Sequence, residues 1–321
     1  MSKIRISLLL LVLILVLPGS LFLAPKVINP FALDTTEKSI LFSIRFPRVV
    51  VAFLMGMALG ASGAVLQGIL RNPLADPYIL GISSGASLSA AAWILSGSYF
   101  LGKFTIPLVA FGGAIFVSML VGFFGWKRGG LWPERLLLAG VGLSFLFHAV
   151  LMLLISISPG ERLGRTIFWI FGDLSIADWS LIPYGLMFIV LGLFISFFRA
   201  KALNALVLGD ELAHSLGFSV HRERLLLFLS ISLMTAASVS LGGIIGFIGL
   251  LIPHIMRFFV GADSRVLVPA SALGGGALLC MADLIGRSMM SPVEIPSGIV
   301  TAIIGSPYFL YLLRRKDVLS I

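Results

Sequence analysis

The chain has 321 residues, 59% of them hydrophobic and only 12% charged, with a mean hydropathy of +1.09. Soluble domains carry about 25% charged residues, so a soluble globular protein is excluded at the outset. The net charge of +9 comes from basic residues in short loops between apolar runs, a pattern of membrane orientation rather than of nucleic-acid binding.

Apolar windows of the roughly 17 to 25 residues needed to cross a bilayer recur along the whole sequence. The short alternating strands of a membrane barrel are absent from it. The reading is an all-α polytopic membrane protein of about ten spans: 6–24, 49–70, 79–96, 106–126, 136–155, 181–198, 225–241, 244–260, 266–284 and 297–313. Lys3 and Arg5 ahead of the first run resemble a signal peptide, but the run passes Pro18 and Gly19 and reads as an uncleaved first helix. One transmembrane domain over 1–321 is expected, with both termini on the cytoplasmic side by the loop-charge bias. Arg45, Arg48 and Arg287 fall on the outer side as exceptions to that bias.

On the second span, Gly56, Gly60 and Gly63 suit close helix packing in lipid. After Gln67 comes a turn, Asn72, Pro73, Asp76 and Pro77, where the prolines end the helix and Asn72 and Asp76 are placed to cap the next turn. Gln67 and His148 are polar groups in or near apolar spans, expected to face protein or a water path, with a bond between helices favoured for His148 over a pore role. Gly242, Gly243, Gly246 and Gly249 predict short or broken helices around 244–260. Cys280 alone makes neither an internal disulfide nor a metal site and reads as a small buried hydrophobe.

The longest polar interval is 199–224, bounded by Arg199 and Arg224. Within it, 203–217 is amphipathic, with Leu206, Val207, Ala213 and Leu216 apolar and Asp210, Glu211 and His214 facing elsewhere. Gly209 separates two turns. A passive loop needs no such apolar content, so a cytoplasmic docking element is expected here. No GxxxxGK[ST] loop is present, so any ATP-driven work requires a separate subunit. Ser83, Ser84 and Ser87 have no assignable base, and His254 has no second ligand beside it, so neither catalysis nor a resident metal is read.

Several stretches, in order over nearly the whole chain, resemble the permease subunit of ABC importers for iron–siderophore complexes, haem and vitamin B12. They are RFPR at 45–48, GASGAVLQGILRNPLADPYILGISSGA at 60–86, WIFGDL at 169–174, LNALVLGDELAHSLG at 203–217, GGIIGFIGLLIPHIMRFFVGAD at 242–263, ADLIGR at 282–287 and EIPSGIVTAIIGSPYFLYLL at 294–313. The resemblance implies ten helices per subunit, in the cytoplasmic (inner) membrane of a bacterium or archaeon. It also implies a second permease, identical or paralogous, two ATPase subunits carrying ATP and Mg, and an extracytoplasmic binding protein. No cofactor is expected on this chain.

By the same resemblance, ATPase coupling falls to Leu203, Leu206, Leu208, Gly209, Asp210, Glu211, Ala213, Leu216 and Gly217. Binding-protein docking falls to Arg45, Arg48 and Arg287, with headgroup contact or an internal pair to Asp283 or Glu294 as the alternative. The path is expected beside the fifth span at Leu138, Val141, Gly142, Phe145 and Met152, and 169–174 near its outer entrance. An ion-driven transporter would need carboxylates at mid-bilayer, and the acidic residues here lie in loops or near helix ends. An oxyanion importer of the same architecture remains the rival, alongside vitamin B12 and haem.

Overall fold

The computed structural model describes residues 15–23, 34–98, 101–127, 129–158 and 160–314. The central element is α2, Thr35–Leu70, preceded by helical residues 15–22, α1. The expected first span, 6–24, lies largely outside the described residues.

The second span was expected from 49, but its helix begins at Thr35, where Asp34 and Glu37 form a reciprocal capping box. It survives Pro47 through a π-helical stretch, Leu41–Arg45, in which the Phe46 N–H bonds the Leu41 carbonyl. Five residues before Pro47, the Phe42 carbonyl receives the Trp179 indole N–H at 2.7 Å, where proline has no N–H to offer.

Along the chain follow α3 (Ile82–Ser96), α4 (Thr105–Gly125), α5 (Pro133–Ile157), α6 (Leu163–Ile170) and α7 (Leu181–Phe198). Then come α8 (Ala200–Leu208), α9 (Asp210–Ser215), α10 (Val220–Gly242), α11 (Ile248–Val260), α12 (Ser264–Ser288) and α13 (Ser297–Arg314). Trp126–Lys127 and Gly130–Leu131 form a small antiparallel ribbon that the sequence reading missed, with Gly129 at φ 83° in its turn. Among the described residues, six helices are long and apolar enough to cross a membrane. Ile82–Ser96, Ile248–Val260 and Ser297–Tyr311 are apolar but shorter, so the count of ten is not reached by length.

The core is the crossing of α2 with α12, flanked by α10 and α11. At the crossing, Gly56 and Gly275 lie against each other's carbonyls, and a Cβ on either would strike backbone. Backbones come this close in lipid because packing, not area burial, holds helices together there. After α10 ends at Gly242 the chain is non-helical through Phe247, which has φ 69°, and α11 then starts. This is the predicted break. Gln67 braces the start of α11, where Pro253 offers the Gly249 carbonyl no N–H: it donates to the carbonyls of Ala75, Gly249 and Leu250 at 3.2–3.4 Å while accepting from Arg257 at 3.3 Å.

Burial is uneven. The most apolar window of α2 is 83% buried, whereas that of α5 is 11% buried. A helix apolar on all sides yet uncovered by its own chain faces lipid or another subunit.

Candidate functional site

Three features stand out: a helix pair at one end of the bundle, an arginine cluster at the other, and the open face of α5. Arg48, inside α2, and Arg71, which caps its C-terminal end, place the first two roughly 35 Å apart at 1.5 Å per residue.

At the first end, α8 and α9 meet at Gly209, whose φ of 132° suits glycine alone. Asp210 opens α9 and is held from two sides. Arg224 of α10 reaches it at 2.5 Å, and Arg71, the left-handed cap of α2, forms a second ion pair. Arg71 also donates to the Leu206 carbonyl at 2.8 Å. Burial raises the Asp210 pKa, but Arg224 and then Arg71 outweigh it and hold the carboxyl below its ordinary range. Asn204 of α8 donates to Asp263 and accepts from the Ser264 N–H, both at 2.8 Å, so α8 is also fixed to the start of α12. Arg265 and Asn204 keep Asp263 well below the usual carboxylate range.

The exposure of this pair divides the nine expected coupling residues. Leu203, Leu206 and Ala213 are buried in the chain's own bundle. Leu208 is 69%, Leu212 44% and Leu216 58% exposed, and Glu211 and Gly217 are exposed as well. Leu206 and Ala213 are therefore anchors, not outward contacts. The sequence reading missed Leu212, Arg71, Arg224 and Asn204. Its available signal was an acidic residue at a glycine break with unassigned arginines at the neighbouring span ends.

The 71–81 turn lies beside this pair. Asn72 accepts from the Leu74 N–H and Asp76 from the Tyr78 N–H, each at 2.9 Å, and Pro73 and Pro77 are buried. The Tyr78 hydroxyl in turn accepts from the Ile245 N–H at 3.1 Å, joining the turn to the break before α11. Burial pushes the Asp76 carboxyl up to about 6 against the lowering effect of the Tyr78 and Leu250 N–H groups.

At the opposite end, Arg45, Arg48 and Arg287 are all buried. Arg48 pairs with Asp283 at 2.9 Å and with Glu294 at 2.7 Å. Arg287 pairs with Asp283 at 3.0 Å and donates to the Ser20 carbonyl, and Arg45 donates to the Leu21 carbonyl, each at 2.9 Å. The internal pairing left open by the sequence is thus present, and an exposed positive rim is not. Three guanidinium groups against two carboxylates leave a net positive charge. Beside Arg48 and Glu294 lies a cavity of about 280 Å3, also lined by Gly172, Asp173 and Leu174. Trp169 and Leu174 are buried, wedging 169–174 between the end of α10 and the start of α13.

On α5, Leu138, Val141, Phe145 and Met152 are exposed, and Gly142 opens onto free space. His148 is exposed on the same side. Its Nδ1 bonds the Ser144 carbonyl of its own helix at 2.8 Å, in place of the expected bond between helices. Ser84 and Ser87 bond carbonyls of their own helix turn, as packing serines do. Among the described residues no group of three or more His, Cys, Asp or Glu is arranged to hold a metal.

Comparison with known proteins agrees with this architecture. The model of the FecCD transport family matches residues 6–315. The cobalamin import system permease protein of Halobacterium salinarum is 41% identical over 90% of this chain and 77% of its own length. The hemin transport system permease protein of Yersinia pestis is 40% identical over 85% and 83%. An iron(3+)-hydroxamate import system permease protein of Bacillus subtilis is 36% identical over 88% and 85%. A solved structure of an inward-facing metal-chelate type ABC transporter superposes with a TM-score of 0.87 at 33% identity, over 97% of this chain and 98% of the other. The chain belongs to the FecCD transport family, as a multi-pass permease subunit of a bacterial or archaeal cytoplasmic membrane.

Proposed function

We propose that the chain is one of two permeases, identical or paralogous, in an ATP-driven importer of iron–siderophore or related metal–organic chelates. The observation that carries this reading is the pair α8–α9. It presents Leu208, Leu212 and Leu216 outward while Asp210 and Asn204 tie it to three spans of the bundle. An outward apolar face on a rigidly tethered element suits a lever pushed by a partner. Closure of cytoplasmic ATPases carrying ATP and Mg would be transmitted through Arg71 to α2, through Arg224 to α10 and through Asp263 to α12.

In this reading the chain has about ten spans with both termini in the cytoplasm, and 199–224 is the coupling loop within one domain. The uncovered face of α5, with Leu138, Val141, Gly142, Phe145 and Met152, meets the second permease and lines the path. Its weak apolar contacts let bulky cargo slide. The positive cluster of Arg45, Arg48 and Arg287 underlies the surface that receives an acidic binding protein and sets its register. Glu294, on the rim of that cluster, is the group a partner's carboxylate would displace from Arg48. Vitamin B12 or haem is the alternative cargo, since permeases for both are similar to this chain.

The test is reconstitution with the ATPase subunit of an importer of this family. Leu208→Asp with Leu216→Asp should abolish association, and Gly209→Val should leave association intact while uptake per ATP hydrolysed falls. Normal association of the double variant would refute the lever.

A further inference from the structure

Val141, Phe145, His148 and Met152 recur at steps of four, three and four, so they form one stripe along α5. His148 is the titratable side chain of that stripe, and its immediate neighbours on it are apolar. A lone histidine on an apolar face ordinarily packs against a neighbour. This one is exposed, and its bond is to its own helix.

The geometry of that bond has a chemical consequence. A carbonyl oxygen can only accept, so Nδ1 carries the proton that is shared with Ser144 O. In the neutral ring the lone pair is then on Nε2, the nitrogen turned away from the helix backbone. A hydrogen bond from one ring nitrogen to a backbone carbonyl is the arrangement that orients metal-ligating imidazoles and fixes their tautomer. One turn further on, Met152 adds an exposed thioether, a soft and polarizable donor.

We propose that His148 is a transient axial ligand for cargo metal in the translocation path, with Met152 as the next donor along it. The inference rests on the reading of α5 as the path lining. The cargo class it selects is a planar metal macrocycle with an exchangeable axial position, a ferric porphyrin or a corrin with bound water. A ferric hydroxamate presents an iron already saturated by hard oxygen donors and offers no site for imidazole. The step is ligand exchange: the Nε2–metal bond forms as the metal–water bond breaks, and no electron is transferred. One nitrogen flanked on the wall by Val141, Phe145 and Met152 slows such cargo without trapping it, because none of these neighbours carries a charge.

The experiment uses the full chain in lipid nanodiscs, titrated with haemin, with aquocobalamin and, as control, with a ferric hydroxamate. Wild type should convert haemin, aquocobalamin or both to a nitrogen-ligated low-spin spectrum and leave the hydroxamate unchanged. A response to haemin alone assigns the porphyrin, and to aquocobalamin alone the corrin. His148→Ala should lose the spectral change and weaken binding by roughly tenfold or more, and free imidazole should restore the spectrum. Met152→Leu should retain the His148-dependent change. A wild-type spectrum in His148→Ala, or no change with either macrocycle, overturns the proposal.

Cross-linking of Phe145→Cys between two copies, in a Cys280→Ser background, reports the path reading separately. Cross-linking without a His148-dependent spectrum overturns the ligand and leaves the path standing. A His148-dependent spectrum without cross-linking supports the ligand and overturns the path between two copies.

Discussion

The Asp210 carboxylate and the Arg224 guanidinium are 2.5 Å apart, so the first residue of α9 is fixed to the start of α10. Arg224 is buried while Asp210 is partly open, and Arg71 approaches the same carboxylate oxygen from α2. Asp210→Ala leaves a buried cation without its counter-charge, the costly way to break such a pair. Uptake per ATP hydrolysed in proteoliposomes should fall at least about tenfold, equivalent to roughly 1.4 kcal/mol of lost coupling. Unchanged coupling in that variant would show that α9 transmits nothing.

Asp283 sits between Arg48 and Arg287, with Ser297 donating to it at 3.2 Å. Asp283→Ala would leave two buried guanidinium groups facing each other, at a cost of about 3–5 kcal/mol. The variant should accumulate poorly and elute as aggregate in detergent. Exchanging the charges, Arg48→Asp with Asp283→Arg, should recover part of the monodisperse yield. For the same reason Arg48→Glu tests folding before it tests docking. The docking role is better probed at Glu294, whose side chain is half-open. Glu294→Gln frees Arg48 toward an incoming carboxylate and should lower the dissociation constant of the binding protein.

Gly275 lies on the Gly56 backbone where α12 crosses α2. Gly275→Leu cannot be relieved by a rotamer change, because the obstacle is main chain. A loss of about 4 kcal/mol or more is expected, at the severe end for a single substitution. Retention of a wild-type melting temperature in detergent would mean that the two helices separate at little cost. Gly112→Ala, with open space around it and an ordinary helical backbone, should shift melting far less.

Asp76 has its pKa raised by burial to about 6, above the ordinary carboxylate value. The folded state therefore binds the proton more tightly than the unfolded state. Its stability falls as pH rises through about 4 to 6 and carries the full penalty above that window. Asp76→Asn retains an acceptor for the Tyr78 N–H while removing the charge. It should raise the melting temperature at pH 8, by an amount corresponding to about 1–3 kcal/mol, and have little effect at pH 4. Equal shifts at both pH values would contradict the buried carboxylate.

Much of this was legible in the sequence because lipid imposes simple rules. Apolar run length pointed to the six long apolar helices, Gly242 to Gly249 to the broken segment, and the polar interval from Arg199 to Arg224 to the short helices around Gly209. Each is a local property: residue composition within one helix length determines it. The start of α2 was misplaced because the helix is extended by a capping box at Asp34–Glu37 and passes Pro47 through a π-helical stretch.

Only the tertiary structure decided the partners of the charged groups. Arg48 and Asp283 are 235 positions apart in sequence, and Arg71 and Asp210 are 139 apart. Composition places each near a span end but cannot pair them, because pairing depends on which helices cross. The same holds for α5 and His148: periodicity makes a stripe, and only the packing of every other helix elsewhere leaves that stripe uncovered.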